Sequence, residues 1–170
     1  MFKWIGAILV FGTVLCSGTY PLLCKMNRLR ALRELISSLE RMRADMRANV
    51  PTIPQLINNL LESAHGVSKL FFQGLRDAMD DRGAMSFYAE WNHLVQELLW
   101  MLSDVERAEM MTLGDMLGCY SAEDQIIAME RTISVLQAGA LIIKEFIRER
   151  MKLYVGTSVS VGMIVVIVLL

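Results

Sequence analysis

Residues 25–48, KMNRLRALRELISSLERMRADMRA, decide the fold of this chain. Apolar side chains recur along this stretch at intervals of three and four: Leu29, Leu32, Leu35, Ile36, Leu39, Met42 and Met46. The arginines fall between them, as in a helix that buries one face and leaves the other in water. Residues 49–51, Asn-Val-Pro, interrupt the pattern because proline disfavours helical backbone before it. A first core helix that ends at about Ala48 is therefore predicted.

A second helix is predicted to follow this break at once. Thr52 and Gln55 have the spacing of a capping box, in which each side chain satisfies a backbone N–H of the first turn. The helix is expected to continue through about Ala64. His65 and Gly66 are interpreted as its stop, since glycine commonly follows a helix C-terminus.

Four further helices are predicted from the same kinds of signal. The third covers about residues 68–79, Ser86 caps the fourth, Ser103 with Glu106 opens the fifth, and Ser121 opens the sixth. The last pattern continues without a breaker to the end of the chain. Because no run of alternating β-branched residues occurs, the sequence predicts an all-α, antiparallel bundle of about six helices.

The two ends of the chain differ from its centre in charge. Residues 4–24 and 153–170 contain no charged side chain, and a helix of about 20 apolar residues spans a bilayer. We expect transmembrane helices within residues 1–24 and 153–170, with residues 25–152 between them as one helical domain. A cleaved signal peptide is the alternative for the first segment, with Lys3 as its basic start.

Charge also varies along the central domain. Residues 25–50 have a net charge of +4, residues 51–130 of −9, and residues 131–152 of +3. Positive residues beside a span favour the cytosolic side. The topology-setting residues are expected to be Lys25, Arg28, Arg30 and Arg33. The central domain would then be cytosolic and both termini outside.

Side-chain patterns in the sequence leave two functions open at this stage. Glu62 with His65 and Glu90 with His93 form two Glu-x-x-His motifs, as in bundles that bind two iron ions, so a membrane-anchored metal-binding bundle is the alternative function. A lipid-binding or membrane-shaping role would instead use the basic residues of the first helix: Arg28, Arg30, Arg33, Arg41 and Arg43.

No motif points to catalysis or to nucleic-acid binding. The pair Gly114 and Gly118 lacks the Lys-Ser or Lys-Thr that a phosphate-binding loop requires, and no serine has the flanking glycines of a nucleophile elbow. We predict a protein that is not an enzyme and has no cofactor. The aromatic residues have core spacing and are expected to pack inside the bundle: Phe71, Phe72, Trp91 and Trp100.

Several positions together resemble a known family. They are Trp91, the segment Leu117-Gly118 with Gln125, and Lys152-Leu153-Tyr154 before a glycine-containing terminal span. The chain is similar in these positions to stage III sporulation protein AB, a family related to the F domain of type II secretion inner-membrane platforms. Ser121 departs from the family pattern, which usually has Asp there, and Val155 stands where a basic residue is expected.

The resemblance implies a function that the patterns above do not give. It implies a non-enzymatic membrane platform in the complex that links mother cell and forespore during endospore formation, located in the mother-cell membrane. The implied partners are other stage III sporulation proteins, including a secretion-type ATPase, and a homo-oligomer stays open. We hypothesise that the partner-binding residues are Asp77, Asp80 and Asp81, in the acidic part of the chain.

Overall fold

Helical periodicity and local caps divide the chain into six α-helices. The computed structural model describes the backbone of residues 2–80 and 86–169 and the side chains of residues 23–80 and 86–150. The helices are α1 (Phe2–Asn49), α2 (Ile53–Leu61), α3 (Gly66–Asp80), α4 (Phe87–Leu98), α5 (Asp104–Met116) and α6 (Ala122–Leu169). The described backbone contains no strand. The prediction of an all-α chain with six helices is confirmed.

The predicted helix starts are confirmed where the capping residues are local. The N–H of Thr52 donates to Oε1 of Gln55 over 3.2 Å, and the N–H of Ser103 donates to Oε2 of Glu106 over 2.7 Å. The hydroxyl of Ser86 accepts from the N–H of Ala89. These contacts satisfy N–H groups that a helix cannot satisfy internally. Polar side chains near each N-terminus therefore fix where these three helices begin.

The predicted end of the second helix is wrong. Helix α2 ends at Leu61 rather than Ala64, and Gly66 is the first residue of α3 rather than a stop for α2. Gly66 does adopt a positive φ of 55°, but the chain resumes a helix directly after it. A side chain of α1 explains the early start, because Oε2 of Glu34 accepts the N–H of Val67 over 3.0 Å.

Residues 30–140 form one compact unit. In it, α1 and α6 are antiparallel: Arg43 and Arg47 both pair with Glu130, while Gln137 donates to Glu40 over 3.3 Å. The apolar face predicted for α1 is buried, with Leu32, Leu35, Leu39 and Met42 fully inaccessible to water. Burial of such side chains contributes roughly 1.5–3 kcal/mol each, which makes this helix a main source of stability.

Three of the four aromatic residues predicted to pack are buried. Phe71, Phe72 and Trp91 are fully inaccessible, and the rings of Phe71 and Trp91 meet edge to face with centroids 4.9 Å apart. The prediction for Trp100 is wrong, since 71% of this residue is exposed. Helix α4 ends at Leu98, so the helical spacing that suggested burial no longer applies to Trp100.

Residues 1–29 and 141–170 form a second unit. Its described side chains include Phe146, whose ring lies 5.7 Å from Nζ of Lys25 and 5.3 Å from the guanidinium of Arg150. Distances below about 6 Å are those of cation–π contacts. The parts of this unit with described side chains, residues 23–29 and 141–150, are helical and contain five basic residues: Lys25, Arg28, Lys144, Arg148 and Arg150.

Membrane-spanning potential is found in one described segment. Among residues with described side chains, Ala122–Arg150 is long and apolar enough to cross a membrane by length and composition. This segment is neither of the two spans predicted from sequence. Its residues Met129, Ile133 and Leu136 are buried in the bundle, whereas Leu141 and Ile142 are exposed. The predicted spans at residues 1–24 and 153–170 lie almost wholly outside the described side chains and stay predictions.

Candidate functional site

Acidic side chains gather where α3 and α5 end and α6 begins. Pro54 of α2 lines a groove together with Met79 and Asp80 of α3. A Cβ on Gly118, just after α5, would stand 3.7 Å from Cγ1 of Ile53, which places the end of α5 at the same end of the bundle. We call the exposed carboxylates here the acidic end: Asp77, Asp80, Asp115, Glu123 and Asp124.

Two members of the acidic end occupy an unfavourable position. Asp77 and Asp80 lie in the last turn of α3. This turn contains no basic residue, and Arg76 directly precedes it. The C-terminus of a helix bears partial negative charge, so a carboxylate there is destabilising, typically by about 0.3–1 kcal/mol. The contact of Arg76 with Asp77, at 3.7 Å between exposed groups, offsets little of this cost. These acids therefore do not serve the stability of α3.

Asp81, the third predicted partner-binding residue, lies outside the described residues, as does the rest of segment 81–85. Its neighbour Asp80 is the last residue of α3. The structure thus brings Asp77 and Asp80 together on one exposed turn.

A second charged surface lies on the face of α1 opposite its buried stripe. It is a groove between α1 and the link from α2 to α3, and we call it the basic groove. Its walls are formed by Arg30, Arg33, Ser37, Arg41, Ser63 and His65. The residues of α1 in this set stand at relative positions 0, 3, 7 and 11, which share one side of a helix. This surface contains two of the predicted topology-setting residues, Arg30 and Arg33.

The other two predicted topology-setting residues belong to the second unit. Lys25 is half-buried over the ring of Phe146, and Arg28 is half-buried as well. Of the four basic residues after the first predicted span, Lys25 therefore makes a cation–π contact, and Arg30 and Arg33 line the basic groove. Its effect on orientation in a membrane stays a prediction.

The two Glu-x-x-His motifs have different surroundings. Glu90 and Glu97 flank His93 on one exposed face of α4, with Oε1 of Glu90 3.9 Å and Oε2 of Glu97 3.7 Å from its Nδ1. Glu62 follows the end of α2 and His65 precedes α3, so these two share no helix. Within the described residues, no three His, Cys, Asp or Glu side chains converge on a point that could hold a metal. The described residues do not assemble the set that a di-iron site requires.

Four of the residues that carry the family resemblance have structural contacts, while Lys152, Leu153 and Tyr154 lie outside the described side chains. Nε1 of Trp91 donates to the carbonyl of Met110 over 2.7 Å, which ties α4 to α5. Gln125 is buried and its Nε2 donates to the carbonyl of Tyr120 over 2.8 Å. Leu117 is buried, and Gly118 has a φ of 82°, a conformation that favours glycine. These residues shape the core and the turn from α5 to α6.

Ser121 preserves the start of α6 despite its departure from the family pattern. Its hydroxyl accepts the N–H of Asp124 over 3.2 Å and donates to the carboxylate of the same residue over 2.6 Å. The N-cap expected from the sequence is confirmed.

These features define a class: an all-α bundle with two exposed surfaces of opposite charge. Residues 3–170 match the family model for Stage III sporulation protein AB, so the chain belongs to that family. A solved structure titled "Stage III sporulation protein AB (SpoIIIAB)" is 19% identical, with a TM-score of 0.60 over 71% of this chain and 96% of that chain. This match shows a common fold. No curated protein sequence matches the chain significantly.

Sequence reasoning missed the basic groove as a site. It grouped the arginines of the first helix by charge alone, and it interpreted His65 as a residue at the end of a helix. The spacing of Arg30, Arg33, Ser37 and Arg41 on one helix face was the available signal. The opposite wall depends on how the link from α2 to α3 packs on α1, which no local pattern predicts.

Proposed function

We propose that this protein is a membrane-anchored, non-enzymatic platform of a stage III sporulation complex. Two spans, at residues 1–24 and 153–170, would hold residues 25–152 on the cytosolic side of the mother-cell membrane. Membership of the family and the uncharged ends of the sequence support this proposal. The partners would be other stage III sporulation proteins, including a secretion-type ATPase, and a second copy of the chain is a further candidate.

The acidic end is the surface that we assign to the cytosolic partner. The single observation that carries this assignment is that Asp77 and Asp80 lie together on one exposed turn of α3, within the acidic end, and that this turn contains no basic residue. A contact outside the chain would offset the cost of these charges to the helix. A basic partner would gain orientation and a faster association rate from these charges. Asp81 follows Asp80 directly in the sequence and remains part of the predicted partner-binding set.

The test is a charge reversal with a matched control. Asp77→Lys/Asp80→Lys is compared with Glu62→Lys/Glu97→Lys, which reverses two exposed carboxylates near the C-termini of α2 and α4. Both variants change the net charge equally and relieve the same helix-end repulsion. Each is purified at full length from sporulating cells, and the co-purified stage III proteins are quantified by mass spectrometry at low and at physiological salt.

We expect the first variant to lose most of the co-purified ATPase and the control to retain it. The loss relative to the unmodified chain should be larger at low salt, because screening at physiological salt reduces the effect of any exposed charge. Equal recovery of the ATPase by the two variants at both salt concentrations would refute the assigned surface. The protein level in membranes and the helical content should not change in either variant.

The proposed topology has its own test. Single cysteines are placed at position 2, at position 169 and in place of Asp80, after replacement of the three native cysteines: Cys16, Cys24 and Cys119. An impermeant thiol reagent should label the two terminal positions in intact cells and position 80 only after lysis. Labelling of position 80 in intact cells would contradict the cytosolic assignment.

A further inference from the structure

The five arginines of α1 from Arg30 to Arg47 fall into two groups that differ in their partners. Arg43 and Arg47 pair with Glu130 of α6. Arg30, Arg33 and Arg41 form no ion pair with any residue of the described part of the chain, although all three line the basic groove. Three positive groups that share a groove repel one another. A bound anion would remove this repulsion.

The acid inside the groove does not neutralise these arginines. Glu34 lies on the same wall, but its Oε2 accepts the N–H of Val67 and its carboxylate fills the space above Gly66. Its charge is therefore directed at the backbone at the start of α3. With His65 neutral, the three arginines and Glu34 leave the groove with a formal charge of +2.

The remaining groups of the groove are hydrogen-bond donors that suit an oxyanion. Ser37 is exposed beside the arginines, and His65 faces them from the opposite wall. A guanidinium group binds two oxygens of a phosphate through parallel N–H bonds, and hydroxyl and imidazole groups can donate to the others.

We infer that the basic groove binds a phosphate group, through Arg30, Arg33 and Arg41 with Ser37 and His65. The phosphate comes either from inorganic phosphate in solution or from the headgroup of an anionic phospholipid. This inference does not depend on the acidic end, so the platform function and the phosphate site can fail separately.

The test follows the reactivity of individual arginines in the full-length protein. The chain is reconstituted in lipid nanodiscs of phosphatidylcholine alone, or of phosphatidylcholine with phosphatidylglycerol. Phenylglyoxal modifies arginines, and mass spectrometry gives a rate at each position. Arg76, which lies outside the groove on α3, is the internal reference. Inorganic phosphate is added at constant ionic strength, with chloride as the comparison.

We expect phosphate to slow the modification of Arg30, Arg33 and Arg41 but not of Arg76. At a concentration ten times the dissociation constant, the rate should fall about tenfold, since only the unoccupied protein reacts. Slowing in phosphatidylcholine nanodiscs identifies free phosphate as the ligand. Slowing only when phosphatidylglycerol is present identifies the headgroup. Both results support the site.

A pair of variants makes the test specific. Arg33→Gln/Arg41→Gln should raise the dissociation constant at least about tenfold, because charge-assisted hydrogen bonds are lost. This effect is read from the modification of Arg30. Arg43→Gln/Arg47→Gln removes the same charge from the same helix and should leave that constant unchanged.

Three outcomes with the unmodified chain would overturn the inference. They are no slowing under either lipid condition, equal slowing of Arg76, and protection by polyglutamate without protection by phosphate or phosphatidylglycerol. The second would indicate general screening, and the third an acidic protein partner. Equal loss of binding in both double variants would also refute the groove as the site.

Discussion

Replacement of Gly114 by alanine is expected to destabilise the bundle although alanine favours helix. A Cβ at this position would overlap the indole of Trp91 at Cδ1. The indole has little room to move away, because its Nε1 donates to the carbonyl of Met110 over 2.7 Å. The ring of Phe71 packs against it with its centroid 4.9 Å distant. Trp91 is thus held by a hydrogen bond and by a neighbouring ring.

The net cost follows from two opposing terms. Overpacking in a rigid core costs about 1–3 kcal/mol, and the restrained indole places this site at the upper end. Replacing glycine by alanine in a helix returns about 1 kcal/mol. The expected decrease in the free energy of unfolding is therefore about 2 kcal/mol. For a chain of this size, that corresponds to a decrease in Tm of about 4–8 °C.

The measurement is thermal unfolding of the full-length protein in detergent, followed by circular dichroism. Gly74→Ala is the control, since the nearest atoms to its Cβ would be Cδ2 and Cδ1 of Leu94, at 3.0 and 3.2 Å, at the flexible end of that side chain. The control should remain within about 1 kcal/mol of the unmodified chain, as its helix gain offsets a small repacking cost. In a Trp91→Leu background, Gly114→Ala should cost much less, which a double-mutant cycle measures. An unchanged or raised Tm for Gly114→Ala alone would refute the reasoning.

Three smaller changes test the helix ends. Ser103→Ala removes the acceptor of the Glu106 N–H and should cost about 1 kcal/mol in urea unfolding, and an unchanged midpoint would show that this cap is dispensable. Ser121→Asp should leave stability within about 0.5 kcal/mol, because both residues cap helices well; a cost above about 1 kcal/mol would show that the hydroxyl donation to Asp124 matters. Asp77→Lys/Asp80→Lys should not lower the Tm, since it relieves repulsion at the end of α3, and a clear decrease would contradict the helix-end argument.

Much of the fold could be predicted because its signals are local. The starts at Thr52, Ser86, Ser103 and Ser121 depend on side chains within three residues of the N–H that they satisfy. The start of α3 could not be predicted in this way, because its capping carboxylate comes from Glu34, which is 33 residues earlier in the chain. Local patterns therefore predict how many helices form, while a tertiary contact decides where α3 begins.

The acidic surface could be predicted from the sequence, but the basic groove could not, because one of its walls depends on a tertiary contact. Charge counting along the sequence indicated an acidic region, and the structure places Asp77 and Asp80 of that region on one exposed turn. The basic groove needs two walls, and only the one on α1 has a periodic signature. Ser38 of α1 and Ser68 of α3 share a buried hydrogen bond of 2.6 Å, which holds α3 against α1 beside this groove. Neither serine stands out in the sequence, so this packing was not predictable.

The residues that identify the family and the residues that bear exposed charge are different sets. Trp91, Leu117, Gly118 and Gln125 are explained by the hydrogen bonds, burial and turn conformation that they provide, so their presence indicates the fold and not a binding surface. Substitution of these core residues would abolish any function through instability, and such a result would not locate a partner. The exposed surfaces can instead be altered at little cost, because exposed charges contribute little to stability. Function in this protein is therefore best assigned by reversing charge at the acidic end and neutralising it in the basic groove, each against a variant matched in charge.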